Sequence, residues 1–232
     1  MAAIMLPAAH QKVANKGHQI VLRAFRFLGA AIALGGLVLQ FWLMTKYPSS
    51  RGIGQTVIRF LSFFTIQTNI LIAAYLLLPA LTPMSRVGQL LSRPSQRTAV
   101  MSYSALVAII YFLVLRNVGH DYGLERLADW ILHYVTPGMF LFDWVAWVPK
   151  GRVPWSVVAR YLIYPALYAA WTLLYGAITG WYPYPFVNAT KLGYAQLAGN
   201  LVALACVVVS IPVVFLVIDR LLAALHGRAH RP

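Results

Sequence analysis

Six stretches of the chain, at about residues 26–45, 57–78, 99–116, 131–148, 157–178 and 195–218, are nearly unbroken runs of apolar residues. Each approaches the ~20 residues that a helix needs to cross ~30 Å of bilayer hydrocarbon. Main-chain amides in hydrocarbon must be satisfied within their own segment, so all six runs are expected to be helices. Prolines punctuate the connections: Pro79, Pro83 and Pro94 in the second, Pro149 and Pro154 in the fourth, Pro183 and Pro185 in the fifth. The pattern predicts an all-α polytopic membrane protein, with one six-helix transmembrane domain at 23–220. A segment at 1–22 and a tail at 221–232 are expected in the cytoplasm.

Composition strengthens this reading. Of 232 residues, 60% are hydrophobic and only 10% charged, against about 25% charged in ordinary soluble domains. The single cysteine, Cys206, excludes a disulfide framework and a cysteine-built zinc site; neither metal nor cofactor is expected. It sits among valines and alanines and is expected to be a buried, inert thiol. A net charge of +14 could point to nucleic acid, but long apolar runs separate the basic residues and no basic patch is interleaved with aromatics. Placement of the charges instead follows a membrane topology. Thirteen of the 19 Lys and Arg residues, Arg26 and Arg97 among them, fall on one side of the six runs and six on the other. The positive-inside rule puts both termini in the cytoplasm. Asp121, Glu125 and Asp129 then cluster in the third connection, on the external side.

The first apolar run has a basic flank, but it is too long for a signal peptide and no small-residue cleavage site follows, so an uncleaved helix is expected. Trp42, Tyr47, Trp130, Trp147, Trp155, Trp181 and Tyr182 lie near predicted helix ends, as an interfacial aromatic belt requires. Gly29, Ala33 and Gly36 have the spacing that permits close helix packing.

Polar groups inside the runs are costly there, which makes them the first candidates for chemistry. In the second run Thr65, Thr68 and Asn69 stand at i, i+3 and i+4 and share a helix face. That face has a purely structural use, with the threonines bonding back one turn and Asn69 joining helices. In the fourth run His133 and Asp143 are ten residues apart, about 15 Å along a helix, which rules out a direct His–Asp relay. Asp143 is expected to bond another helix from the inner half of the membrane. Pro137 lacks the N–H that would bond four residues back, freeing the His133 carbonyl and opening a pocket beside the imidazole. Thr65 is expected ~12 Å below the external face and His133 some 3–6 Å below it. A hydroxyl beside an imidazole is the pairing required for nucleophilic attack on an ester. Gln67, Thr68, Asn69 and Thr136 are candidate pocket or oxyanion groups. Arg116, Asn117, His120 and Asp121 form a polar cluster at the external mouth.

Three motifs, FFTIQTNILIA at 63–73, HYVTPGMFLFDW at 133–144 and GWYPYPF at 180–186, resemble the androgen-induced-gene family of multi-span membrane proteins, in particular its bacterial six-span branch. The resemblance runs over about residues 20–220. It implies an intramembrane threonine hydrolase of fatty acid esters of hydroxy fatty acids or similar long-chain lipid esters, in a bacterial inner membrane. It places the nucleophile on Thr65 and the catalytic histidine on His133, ten residues before an acidic residue, here Asp143. A Tyr-Pro-Phe segment of the family falls on Tyr184, Pro185 and Phe186. The sequence departs from the animal members in having one histidine where they have two, aspartate for glutamate at 143, and Thr68 for an aspartate.

Two expectations follow. In one, Thr65 attacks and His133 serves as base and then acid, with membrane lipids as surroundings and a lipid ester as substrate. In the other, the chain is a non-catalytic transporter, channel or lipid-binding scaffold whose polar residues hold helices or a ligand.

Overall fold

The structure, a computed structural model, describes residues 8–46, 52–118 and 122–229; His120 and Asp121 of the mouth cluster and Tyr47 of the aromatic belt lie outside the described residues. All regular elements among the described residues are helical. In chain order they are α1 (Ala8–Lys46), α2 (Ile53–Leu61), α3 (Phe64–Leu81), α4 (Arg86–Leu91) and α5 (Pro94–Ile110), which continues into a π-helical turn, π1 (Tyr111–Leu115). Next come α6 (Leu124–Trp130), a second π-helical turn, π2 (Ile131–Val135), and α7 (Thr136–Trp147) as one continuous run. After a 3₁₀ turn, α8 (Val158–Tyr161), α9 (Ile163–Thr179) and α10 (Ala189–Ala229) follow.

Among the described residues five helices are long and apolar enough to cross a membrane: Lys16–Lys46, Phe64–Leu81, Pro94–Leu115, Trp155–Thr179 and Ala189–Leu225. Large apolar side chains such as Leu113, Leu167, Ile178 and Val202 stay exposed on their outer faces, which suits a multi-pass membrane protein surrounded by lipid. The run from Leu124 to Trp147, which holds the fourth expected span, is not among the five. It carries Glu125, Arg126, Asp129 and Asp143 and is widened midway by π2.

The expected helix at 57–78 is in fact two. The chain breaks at Ser62 and Phe63 because side chains take the carbonyls that the next turn needs. Gln67 Nε2 donates to the Leu61 carbonyl (2.7 Å) and the Tyr168 hydroxyl to that of Ser62 (2.9 Å). Thr65 therefore lies in the first turn of α3, not ~12 Å down a longer helix. A second break falls at Leu162. Pro165 has no N–H for the Tyr161 carbonyl, and the Tyr103 hydroxyl bonds that carbonyl instead, at 2.9 Å.

Small residues bring α1 against the centre of the bundle. A Cβ on Gly29 would lie 2.9 Å from Leu76, and one on Gly36 only 2.5 Å from Ile131; Ala30 and Ala33 between them are buried. The main core joins Ile72 and Leu76 of α3, Val100 and Met101 of α5, Phe140 and Trp144 of α7, and Leu216 of α10.

Two expectations about single residues are corrected. Cys206 is exposed rather than buried, because its face of α10 looks outward. Arg26 and Arg97, expected among the cations of the cytoplasmic side, are not free surface charges. Both are buried and pair with Asp143, Arg26 Nε at 2.7 Å and Arg97 Nη2 at 2.5 Å. Arg97 also donates to the Tyr75 carbonyl at 3.1 Å. Asp143, 0% exposed, thus ties α7 to α1 and α5, and through Arg97 to α3.

Candidate active site

Two local irregularities build the site. The break before α3 presents Thr65 on a helix start, where main-chain N–H groups have no intrahelical acceptors. Phe63, at the N-cap, supplies no side-chain cap. The π2 turn, of a kind common at functional sites, carries His133. Thr65 Oγ1 and His133 Nε2 are 3.3 Å apart, with both residues buried.

The tautomer of the imidazole follows from its other nitrogen. His133 Nδ1 lies 3.0 Å from the main-chain carbonyl oxygen of Asp129. A carbonyl only accepts, so Nδ1 carries a hydrogen, and it is the neutral form of the ring in which Nε2 presents a lone pair to the Thr65 hydroxyl. The Asp129 carboxylate stands beside the same nitrogen, with Oδ1 at 3.3 Å. Its other oxygen accepts from the Tyr111 hydroxyl at 2.6 Å. The Tyr111 ring, on π1, stacks on the imidazole, 3.9 Å between centroids and 17° between planes. Neighbouring groups thus clamp the ring by one face and one edge.

A pocket of about 250 Å³ opens onto this pair and is lined by Thr65, His133, Asp129, Tyr111, Gln40 and Tyr184, among others. A second, almost wholly apolar cavity of about 70 Å³ begins at the same Thr65 and Tyr184 and runs between α5, α9 and α10, past Leu106, Thr172, Leu204 and Val208. Tyr184 stands where the two meet. The Thr65 N–H, which an unbroken helix would commit to the Leu61 carbonyl, instead donates to the Tyr184 hydroxyl oxygen at 3.4 Å. Burial pushes the Tyr184 phenol pKa up, and it keeps its proton.

The other expected pocket groups have different duties. Gln67 holds the Leu61 carbonyl and accepts from the Tyr164 hydroxyl at 2.9 Å, so it stabilises the helix break and does not face the imidazole. Asn69 donates to the carbonyls of Thr65 (2.9 Å) and Leu132 (3.0 Å) and accepts from Thr136. Its amide is spent on joining α3 to π2, which removes Asn69 and Thr136 as oxyanion donors. The carbonyl it captures corrects another expectation. In a π turn the bond spans five residues, so Pro137 frees Leu132 rather than His133. Thr68 is fully buried one turn deeper on the Thr65 face. Arg116 and Asn117 are exposed, and Arg116 lies over the Phe112 ring at 4.2 Å. Asp143 belongs to the arginine cluster and is not part of this site.

Asp129 and Tyr111 were not candidates from sequence. Asp129 was counted as an external acid, although its place four residues before His133 puts both on one helix face. Tyr111 lies within an apolar run with no local mark. No group of three or more metal-ligating side chains occurs among the described residues. Comparison with protein families, curated proteins and solved structures finds no match for this chain.

Proposed function

We propose that this chain is a multi-pass membrane hydrolase of long-chain carboxylic esters, with Thr65 as nucleophile and His133 as general base and acid. The observation that carries the reading is the 3.3 Å approach of Thr65 Oγ1 to Nε2 of a buried imidazole, where two cavities share Thr65 in their walls. In this reading the run from Leu124 to Trp147 is a sixth span, both termini are cytoplasmic, and the site lies toward the external leaflet of a bacterial inner membrane. Residues 63–73, 133–144 and 180–186, which resemble the threonine hydrolases of the androgen-induced-gene family, all contribute to the site.

The reaction follows from the atoms present. Thr65 Oγ1 attacks the ester carbonyl carbon while its proton passes to His133 Nε2, and the carbonyl electron pair moves onto oxygen. The imidazolium so formed lies beside the Asp129 carboxylate and donates Nδ1–H to the Asp129 carbonyl, both of which favour the charged ring. When the tetrahedral species collapses, the bond to the alcohol oxygen breaks and Nε2 returns the proton to it. Water entering through the larger pocket then gives a proton to Nε2 and attacks the acyl-threonine, releasing the acid and restoring the hydroxyl. A hydrocarbon chain suits the apolar cavity, since transfer of each CH₂ out of water contributes about 0.8 kcal/mol.

The test is hydrolysis of a panel of long-chain esters by purified protein in lipid nanodiscs. Wild type is expected to turn over, and Thr65→Ala and His133→Ala to be inactive while folded. A folded wild type without turnover, or variants as active as wild type, would overturn the reading in favour of a lipid-binding scaffold.

A further inference from the structure

The hydrolase reading leaves one catalytic task unassigned: stabilising the negative charge that develops on the carbonyl oxygen. Removing a single donor of this kind typically costs ~10²- to 10³-fold in kcat. The polar side chains nearest Thr65 along α3 cannot serve, because Gln67 and Asn69 are bonded elsewhere.

We propose that the Tyr184 hydroxyl and the Thr65 main-chain N–H together form the oxyanion hole. The two atoms are 3.4 Å apart. An oxygen inserted between them at ~2.9 Å from each completes a nearly equilateral triangle, within the range such donors require. A nucleophile's own amide serves this purpose in serine proteases. Here the amide is turned to Tyr184 because Gln67 occupies the carbonyl that would otherwise hold it, and an entering oxyanion would take the place of that long bond. Thr65 and Tyr184 both line each of the two cavities, so the phenol stands beside the residue whose oxygen would bond the reacting carbon.

The tyrosine is held for this task. Pro183 and Pro185 flank it in a short connection. Its ring stacks on Phe186, 5.2 Å between centroids at 5°, and meets Phe63 edge-on at 5.8 Å. The Phe186 carbonyl accepts from Asn200 of α10 at 2.8 Å, fixing that strap to the bundle. Tyr184 lines both cavities. The carbonyl of an ester with its acyl chain in one cavity and its alcohol in the other therefore falls at this phenol.

This assignment rests on the hydrolase reading, and the experiment separates the two. Wild-type turnover with an inactive Thr65→Ala establishes the reading first; if either fails, that reading falls and this proposal with it. With both in place, Tyr184→Phe is expected to lower kcat about 10²-fold and leave KM within about threefold. A long-chain trifluoromethyl ketone, which adds to Thr65 as an oxyanion, is expected to lose affinity by a similar factor. Affinity for the product fatty acid is expected to be unchanged. Tyr184→3-fluorotyrosine, which alters donor acidity and hardly alters shape, is expected to change kcat and ketone affinity together with KM constant. The proposal is overturned if Tyr184→Phe keeps wild-type kcat and ketone affinity. It is equally overturned if ketone and product affinities fall in parallel, or, where Tyr184→Phe does not fold, if the fluorotyrosine variant matches wild type in both readouts.

Discussion

Two of the places where the bundle buries polar groups differ in their surroundings. Around Asp143, two arginines and a carboxylate are paired at 2.5–2.7 Å, and Trp144 and Phe140 pack beside them with no exposed surface. Around His133, a hydroxyl and an imidazole meet at 3.3 Å, one carboxylate stands behind the ring, and a cavity of about 250 Å³ reaches them. In the first cluster opposite charges offset the cost of leaving water; in the second a lone pair on Nε2 faces a hydroxyl across space that a substrate can enter. Cost of burial alone therefore does not mark a reactive site. An accessible group with a lone pair or proton to exchange does.

The sharpest way to break this contrast is to exchange the expected losses. Thr65→Ala is expected to lower ester turnover by more than ~10⁴-fold with a thermal midpoint close to wild type, since the hydroxyl makes one 3.3 Å contact to π2 and the Asn69 amide still joins α3 to that turn. Turnover and midpoint measured on one preparation check it. Asp143→Ala is expected to do the reverse. Removing one partner of a buried ion pair costs about 3–5 kcal/mol, and here two arginines lose their anion at once. Thermal unfolding in detergent is expected to show a large fall, with turnover per folded molecule retained. An Asp143 variant that is stable but inactive would join the two clusters into one functional unit.

The outline of both clusters was only partly legible in the sequence. Long apolar runs, and the shared face of Thr65, Thr68 and Asn69, are local signals, and a period of 3.6 residues is enough to read them. What the apolar runs concealed is long-range. Nothing near Ser62 announces that Tyr168, 106 positions away, takes its carbonyl and breaks the helix. Arg26 and Arg97 read as ordinary cytoplasmic-side cations because each stands at or near the end of an apolar run, and only their convergence on Asp143 distinguishes them. The π2 register cannot be read from composition, so the carbonyl freed by Pro137 was placed one residue too late. Asp129 stands at the edge of its run, where a carboxylate ordinarily reads as solvated.

Asn69 belongs to the scaffold that sets the active-site distance, and its loss is expected to fall between the extremes. Asn69→Leu leaves the Leu132 carbonyl without its donor in an apolar setting, a cost of about 1–3 kcal/mol. It also releases π2 from α3, so turnover is expected to fall by tenfold or more as the Thr65–His133 distance widens. A variant with lower stability and unchanged kcat would show that packing alone, without this amide, sets the distance.

The smallest expected effects come from the clamp on the imidazole, and they test how much orientation matters once the lone pair is correctly placed. The main-chain carbonyl of Asp129 holds the Nδ1 hydrogen at 3.0 Å, closer than the carboxylate at 3.3 Å. Asp129→Asn therefore keeps the tautomer and loses only the charge that stabilises the imidazolium, and about a tenfold fall in kcat is expected. Tyr111→Phe keeps the ring that stacks on His133 and deletes the hydroxyl bonded to Asp129 at 2.6 Å. A hydrogen bond to a charged group contributes about 1.5–3 kcal/mol, of which only the part passed on through the carboxylate reaches the imidazolium, so kcat is expected to fall about two- to tenfold with KM nearly unchanged. Because that hydroxyl acts through the carboxylate, the double variant should be no slower than Asp129→Asn alone. Multiplicative losses in the double variant would instead mean that Tyr111 acts on His133 or the substrate by a route that does not pass through Asp129.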